Sequence, residues 1–451
     1  MPQSAHRNRR LRMAVTTSLV SKVAGAAVQL ASLPLILSGL GEERYAAFLA
    51  MSAATQWTSI MGVGILPSLT RELAASAAAG DRKREQQLVG AGFWFSLLIA
   101  TLVFLVAMLV IFAVDTRAML GIGGTIERVE AQLGFATAMG LIALHFFASL
   151  AGAVRAGYQE SHLTNIISLI SHVFIVASLI LLHFVGGNLI SYIAAIMAPL
   201  TLLLMVDMAR LFRGRTYLWP PALPHLADLR GGTLRGLTMT SGVTWAAQIH
   251  YFLTVFLTVV IVSRWSGVQE TNAFGSMMRA MVLGNSMIGL LVWPMIPALT
   301  DAWARSDVVW ARRSALRLWT FTLVLGSVGS GIIALFGPEL VRSWLGAEIE
   351  ISGRMALGFA LYFLGWNITF ACFNMLLAID KVQKLGWWLL AEAGAALLLA
   401  NLLRAHMGGG EAMALGLGVA TVAMNFWLQS LRLSRWTRTL GSANPALDSR
   451  P

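Results

Sequence analysis

Several ionisable and amide side chains of this chain fall inside apolar runs, where an inserted charge costs about 2.5 to 3.5 kcal/mol and is usually turned into a cavity or paired. Lys22 stands in the run 13–38, and Ser18, Gly25, Gln29 and Ser32 share its helical face at spacings of three and four. An ammonium on such a stripe attracts an anion, and Gln29 carries the polar face deeper. The other use open to Lys22 is to snorkel along its aliphatic stem to a head-group layer. Arg279 lies in the run 272–296 with Ser276 and Ser286 near its face. Its planar, permanently charged fork suits phosphate, though a purely structural arginine would sit there too. Ser241, Thr244, Gln248, Tyr251 and Thr258 form a neutral stripe at helical spacing. Such a stripe can line a wall for a polyhydroxylated ligand, or bond neighbouring helices at about 0.6 kcal/mol per contact.

Glu392 is the carboxylate set well inside an apolar run, and His172 lies at similar depth in another. A desolvated carboxylate can bind and release a proton, which makes these two the candidates for ion coupling. Glu392 has an alternative in water, or in Lys381 and Lys384 nearby. His145, His183 and His250 read as packed, hydrogen-bonded histidines, with His250 on a different face from Gln248, and Asp207 reads as solvated near a helix end. Pro34, Pro199 and Pro294 fall inside apolar runs, where a missing N–H permits a bend.

The elements that must position these groups are set by composition. The chain has 451 residues, 57% hydrophobic and 12% charged, with a mean hydropathy of +0.71. Apolar stretches of roughly 20 residues recur along it, each able to cross a hydrocarbon layer of about 30 Å. Hydropathy predicts spans at about 13–38, 45–66, 88–113, 131–154, 164–185, 189–208, 236–262, 272–296, 315–336, 355–378, 386–403 and 412–431. This is an all-α polytopic membrane protein of about twelve transmembrane helices. Arg7, Arg9, Arg10 and Arg12 precede an apolar run longer than a signal-peptide core, so it reads as the first span rather than a cleaved leader. The single cysteine, Cys372, excludes a disulfide framework and a cysteine-based metal site.

Outside the spans, Lys and Arg favour the termini and even-numbered connections by roughly threefold, which places both termini in the cytoplasm. The net charge of +12 therefore lies along one face, where anionic lipids account for it and nucleic acid is not required. Trp219, Trp265, Trp344, Trp387, Trp388 and Trp436 fall near span ends, as an interfacial belt requires.

An internal repeat divides the chain. Pro67-Ser68-Leu69-Thr70 followed by Ala74 closes the second span, and Pro297-Ala298-Leu299-Thr300 followed by Ala304 closes the eighth. Each leads into a basic loop. The halves are 1–208 and 236–431, joined by a linker at 209–235 and followed by a tail at 432–451. Six spans per half is an even number, so the halves are parallel repeats.

Leu37-Ser38-Gly39-Leu40-Gly41 with Tyr45 and Phe48, then Gly62-Val63-Gly64 leading to Arg71-Glu72-Leu73-Ala74, resembles the Wzx-type polysaccharide flippases. Their superfamily also holds the MATE exporters and the lipid II flippases. Gly275 to Arg279 and Pro297 give a looser echo in the second half. The resemblance implies two six-helix bundles around a central cavity, MATE-like, opening alternately to either side, with cationic residues of the first and eighth helices facing it. Here one of that pair is Lys22, which lacks the bidentate fork.

The expected function is therefore translocation of a polyprenyl-pyrophosphate-linked oligosaccharide, such as an O-antigen or exopolysaccharide repeat unit, across the bacterial inner membrane. Lys22, Gln29, Arg279, Gln248 and Tyr251 are the expected substrate contacts, and Glu392 and His172 the expected coupling groups. Partners on this reading are the lipid-linked oligosaccharide and membrane lipids, with a polysaccharide polymerase and a chain-length regulator downstream. No cofactor is expected. The alternative is a MATE-type cation-coupled multidrug exporter, disfavoured because the first span presents Lys22 and no Asp or Glu. A membrane glycosyltransferase is disfavoured by short extramembrane loops, and no Walker motif, dinucleotide fingerprint or His/Cys cluster points to an enzyme.

Overall fold

The computed structural model describes residues 2–53, 65–121, 126–219, 221, 242–304, 307–346, 348–378 and 385–442. Among these residues there is no strand. Eleven helical stretches among the described residues are long and apolar enough to cross a membrane, as a chain in lipid requires, because each backbone N–H and C=O there must be satisfied within its own helix. The side chains left exposed on them include Leu109, Phe112, Phe184 and Leu335, a surface that suits hydrocarbon.

The chain divides into two compact units, 1–248 and 249–451. In the first, α1 (Pro2–Ala53) is a helical run broken at Gly41, whose φ of 71° is open to glycine at little cost. That break falls in the expected connection between spans one and two, so the two read as one stretch in the structure; 54–64 of the second span lies outside the described residues. Then follow α2 (Ile65–Ala79), α3 (Arg82–Ala113), the short α4 (Thr116–Leu120), α5 (Arg128–Gly157), α6 (Ser161–Val185) and α7 (Leu189–Gly214). Asp81, Asp115 and Asn188 cap α3, α4 and α7 by accepting backbone N–H groups. The core of this unit joins Leu69 and Leu73 of α2 to Leu88, Phe146, Leu150 and Leu211 of α3, α5 and α7.

The second unit begins within α8 (Gly242–Tyr251), which runs through a π-helical turn, Phe252–Phe256, into α9 (Leu257–Trp265). Next come α10 (Val268–Ala304), α11 (Val308–Leu345), α12 (Gly353–Ala378) and α13 (Leu385–Leu403). The last span is α14 (Gly409–Ala420), a second π-helical turn, Thr421–Phe426, and α15 (Trp427–Ser442). α12 is the centre of this unit, packed on α10, α11 and α14. A Cβ on Gly358 would lie 2.4 Å from the backbone carbon of Ala414, so α12 and α14 meet backbone to backbone.

Several expectations are corrected here. Asp207 is buried and paired with Arg155 rather than solvated, because α7 continues past the expected end of its span and is packed there. Thr258 is fully buried and donates to the Thr254 carbonyl, so it does not contribute to a ligand-facing stripe. Trp436 is also buried, its ring 5.9 Å from that of Trp303, which removes it from the interfacial belt. α7 runs to Gly214, so the first residues of the expected linker are helical. The expected linker from 222 to 235, Ser241, Lys381 and Lys384 lie outside the described residues.

Candidate functional site

In the first unit, Lys22 is exposed on α1, and Gln29 two turns along is half-buried. Gly25, one turn beyond Lys22, is where α6 arrives: a Cβ there would fall 2.9 Å from Cε1 of His172. The absence of a side chain at Gly25 thus lets His172 seat against α1, one turn from Lys22. The Nδ1 atom of His172 is buried without a hydrogen-bond partner. Asn165 of α6 donates to Thr17 at 3.1 Å on the same side of the contact. Two candidates chosen on separate grounds, a substrate cation and a coupling histidine, are therefore neighbours.

At its helix ends this unit carries a different polar construction. Arg155 donates to Asp207 and Glu160, each at 2.8 Å, and Arg215 reaches Glu160 at 2.6 Å. Tyr158 and Tyr217 both donate to Glu85, and the Arg215 guanidinium lies 4.1 Å from the centre of the Tyr158 ring. Burial pushes the Glu160 carboxyl up, but the bonds and charges of Arg155 and Arg215 outweigh it and hold the group below its ordinary range. Burial, then the bond to Glu85, raise the Tyr158 phenol above its ordinary value. The arrangement ties the ends of α3, α5 and α7 to the segment 215–217.

The second unit buries its charge in the middle of its spans. Glu392 is fully enclosed on α13, and His250 Nε2 lies 2.9 Å from its Oε2. The Thr421 hydroxyl donates to Oε1 and the Asn425 amide to Oε2. Both donors come from the π-helical turn Thr421–Phe426, and His250 stands just before the other π-helical turn. Such turns widen a helix by one residue and recur at functional sites. Asn425 Oδ1, beside this carboxylate, and both polar atoms of Gln429, one turn farther along the last span, are buried without hydrogen-bond partners among the described residues. A carboxylate and an imidazole in contact can hold one proton between them, take up a second, or release the one they share, each step changing the charge of an enclosed site.

Of the remaining candidates, Tyr251 and Arg279 belong to this unit, and Gln248 is the last residue of the first. Tyr251 is half-buried against Trp366, ring centres 5.9 Å apart, and Trp366 stacks on Tyr362 at 5.2 Å. Gln248 is half-buried one turn before Tyr251. Arg279 is half-buried on α10; Ser276 is wholly buried and Ser286 exposed, so its expected polar face is not uniform. Farther along α10, Asn285 donates to Asn367 of α12 at 2.9 Å. Among the described residues no three His, Cys, Asp or Glu side chains gather as a metal site.

His250 is the residue sequence reasoning set aside. Its partner lies 142 positions away, and Thr421 and Asn425 join only through the π-helical turn, so hydropathy held no signal for the cluster. The one available hint was that a carboxylate so deep in a span needs donors from its neighbours.

No known family pattern and no curated protein matches the chain. Solved structures do. An inward-facing MATE-family multidrug resistance transporter of the MOP superfamily superposes with a TM-score of 0.73 at 14% identity, covering 94% of this chain and 99% of the other. The lipid II flippase MurJ in an inward closed conformation gives 0.69 at 14% identity, over 93% of this chain and 87% of that one. A MOP superfamily transporter from Pyrococcus furiosus, described as having a binding pocket of reversed polarity, gives 0.66 at 14% identity over 93% and 95%. This chain thus has the all-helical, multi-pass membrane fold shared by the MATE and MOP transporters and the lipid II flippase.

Proposed function

We propose that the protein is a flippase that carries a polyprenyl-pyrophosphate-linked oligosaccharide from the cytoplasmic to the periplasmic leaflet of a bacterial inner membrane, both termini in the cytoplasm. The observation that carries this reading is Lys22, exposed on α1 in a span that holds no Asp or Glu between Met13 and Ser38. A cation at that position, with no carboxylate paired to it among the described residues, draws an anionic head group and repels a cationic drug. The fold shared with a lipid II flippase supports the same reading. Lys22 and Arg279 attract the pyrophosphate, Gln29, Gln248 and Tyr251 contact sugar, and the polyprenyl tail stays in lipid.

Coupling resides in the Glu392–His250 pair. Protonation on one side of the membrane and release on the other would alter the bonds to Thr421 and Asn425, and so the packing of α13 on the last span. His172, seated on α1 next to the position of Lys22, would sense the head group. No chemical bond is made or broken on this reading.

The test is reconstitution of the full chain in vesicles with a fluorescent polyprenyl-pyrophosphate oligosaccharide, following its transfer between leaflets. Lys22→Ala and Arg279→Ala are each expected to slow transfer about tenfold, the worth of one charge-assisted hydrogen bond. Unchanged transfer in both variants would remove the cationic site from the reading. Failure of the wild type to transfer any of several glycans, together with proton-driven efflux of a cationic dye, would replace it with the MATE-type exporter.

A further inference from the structure

At one end of the second unit, four spans terminate around a cavity of about 340 Å³ lined by Trp265, Ser266, Gln269, Glu270, Arg404 and Met407. These residues end α9, open α10, follow α13 and precede α14, so the cavity lies at the level where the spans leave the hydrocarbon. Trp265 is the last residue of its span and belongs to the kind of side chain that settles at that level. α13, directly below Arg404, exposes Leu398 and Leu402 as an apolar surface.

The cavity holds two opposite charges that do not neutralise one another. Glu270 accepts the Gly410 N–H through Oε2 at 2.7 Å, which fixes the carboxylate at the start of α14. Arg404 lies 4.7 Å from the centre of the Trp265 ring instead of bridging to Glu270. Among the described residues, Arg404 has no carboxylate partner, while the nearby Glu411 pairs with Arg354 at 3.8 Å. The Ser266 hydroxyl is buried without a partner, against Gly409, where a Cβ would fall 2.4 Å from it. Gly408 is equally constrained, since a Cβ there would strike the Glu270 carboxylate. The glycines thereby keep the loop close to both groups and leave the space between them open.

We infer that this cavity binds the zwitterionic head group of an aminophospholipid, with phosphate on Arg404 and the ammonium on Glu270. An anion alone would meet the Glu270 carboxylate, and a cation alone the Arg404 guanidinium. A head group carrying both charges satisfies each side, and Ser266 and Gln269 supply hydrogen bonds to its phosphate and glycerol oxygens. The acyl chains descend along Leu398 and Leu402 into the bilayer. This site is independent of the transport reading: it involves none of the residues assigned there to substrate or coupling.

Native mass spectrometry of the full-length chain, released from detergent with equimolar phosphatidylethanolamine, phosphatidylcholine and phosphatidylglycerol, tests it. The wild type is expected to retain one phosphatidylethanolamine with roughly tenfold preference over phosphatidylglycerol, the size of one charge-assisted hydrogen bond. The bulky quaternary amine of phosphatidylcholine, which has no N–H to donate, is expected to rank below phosphatidylethanolamine. Glu270→Gln keeps an acceptor for the Gly410 N–H and is expected to lose the amine preference while still retaining phospholipid. Arg404→Gln is expected to lose retention of both, and Arg404→Lys to recover part of it. Equal retention of the three lipids by the wild type, an unchanged amine preference in Glu270→Gln, or unchanged retention in Arg404→Gln overturns the proposal. So does displacement of the bound lipid by excess glucose, or equal occupancy by soluble glycerophosphoethanolamine.

Discussion

The two units handle buried polarity in opposite ways. In the first, Arg155, Asp207, Glu160, Arg215, Glu85, Tyr158 and Tyr217 form a connected set at helix ends. In the second, Glu392 is fully enclosed midway along its spans, with His250, Thr421 and Asn425 as donors. The clamp at the helix ends is also desolvated, but each buried carboxylate in it meets a guanidinium or a phenol that offsets the cost and fixes geometry. A carboxylate in the middle of a span is expensive to bury and earns its place only through packing order or function. On the proposed reading, the contrast separates what holds a bundle together from what would let it respond to an ion.

Replacing the carboxylate is the strongest way to break that contrast. Glu392→Ala leaves the imidazole and two amide or hydroxyl donors without an acceptor in an enclosed site, and should cost about 3–5 kcal/mol. Glu392→Gln, which keeps an oxygen for Thr421 or Asn425, should retain far more stability and still abolish any dependence of transport on a proton gradient. Thermal unfolding of the purified protein reads the first effect, and transport with and without an imposed gradient reads the second. If Glu392→Gln transports with an intact gradient dependence, the pair is structural.

A smaller effect is expected at the clamp. Arg155→Ala removes the guanidinium paired with Asp207 and one of the two paired with Glu160, and should lower stability by about 2 kcal/mol, with no change in gradient dependence. A change in coupling in this variant would erase the distinction between the two units.

The smallest effect concerns acid. Glu160 is held below its ordinary value in the folded chain, so the unfolded state binds its proton first as pH falls. Its contribution is therefore fully present above the ordinary carboxylate range and is lost as pH drops through the folded value. Arg215→Ala removes one of the two guanidinium groups and should move that loss to higher pH, checked by thermal unfolding across an acid series. Identical acid profiles for the wild type and the variant would show that Arg155 alone sets the effect.

The membrane character and the helical architecture were legible in the sequence because lipid leaves few alternatives. Apolar runs near 20 residues must be helices, and a glycine such as Gly41 marks where one turns into the next. Lys22 and Glu392 were also legible, since a charge within such a run stands out against its neighbours. Their surroundings were not. Asp207 looked solvated until α5 brought Arg155 to it, and Thr258 looked like part of a polar wall until its own helix took its hydroxyl.

The sequence by itself determined that the chain is a multi-pass helical membrane protein and which ionisable groups its spans must accommodate. Only the tertiary structure decided that His250, Thr421 and Asn425 answer Glu392, and that His172 settles on Gly25 one turn from Lys22. The physical reason is one of range. Hydropathy reports on a residue and its near neighbours along a helix, whereas a hydrogen-bond partner 142 positions away is chosen by how helices pack and by one extra residue in a π-helical turn.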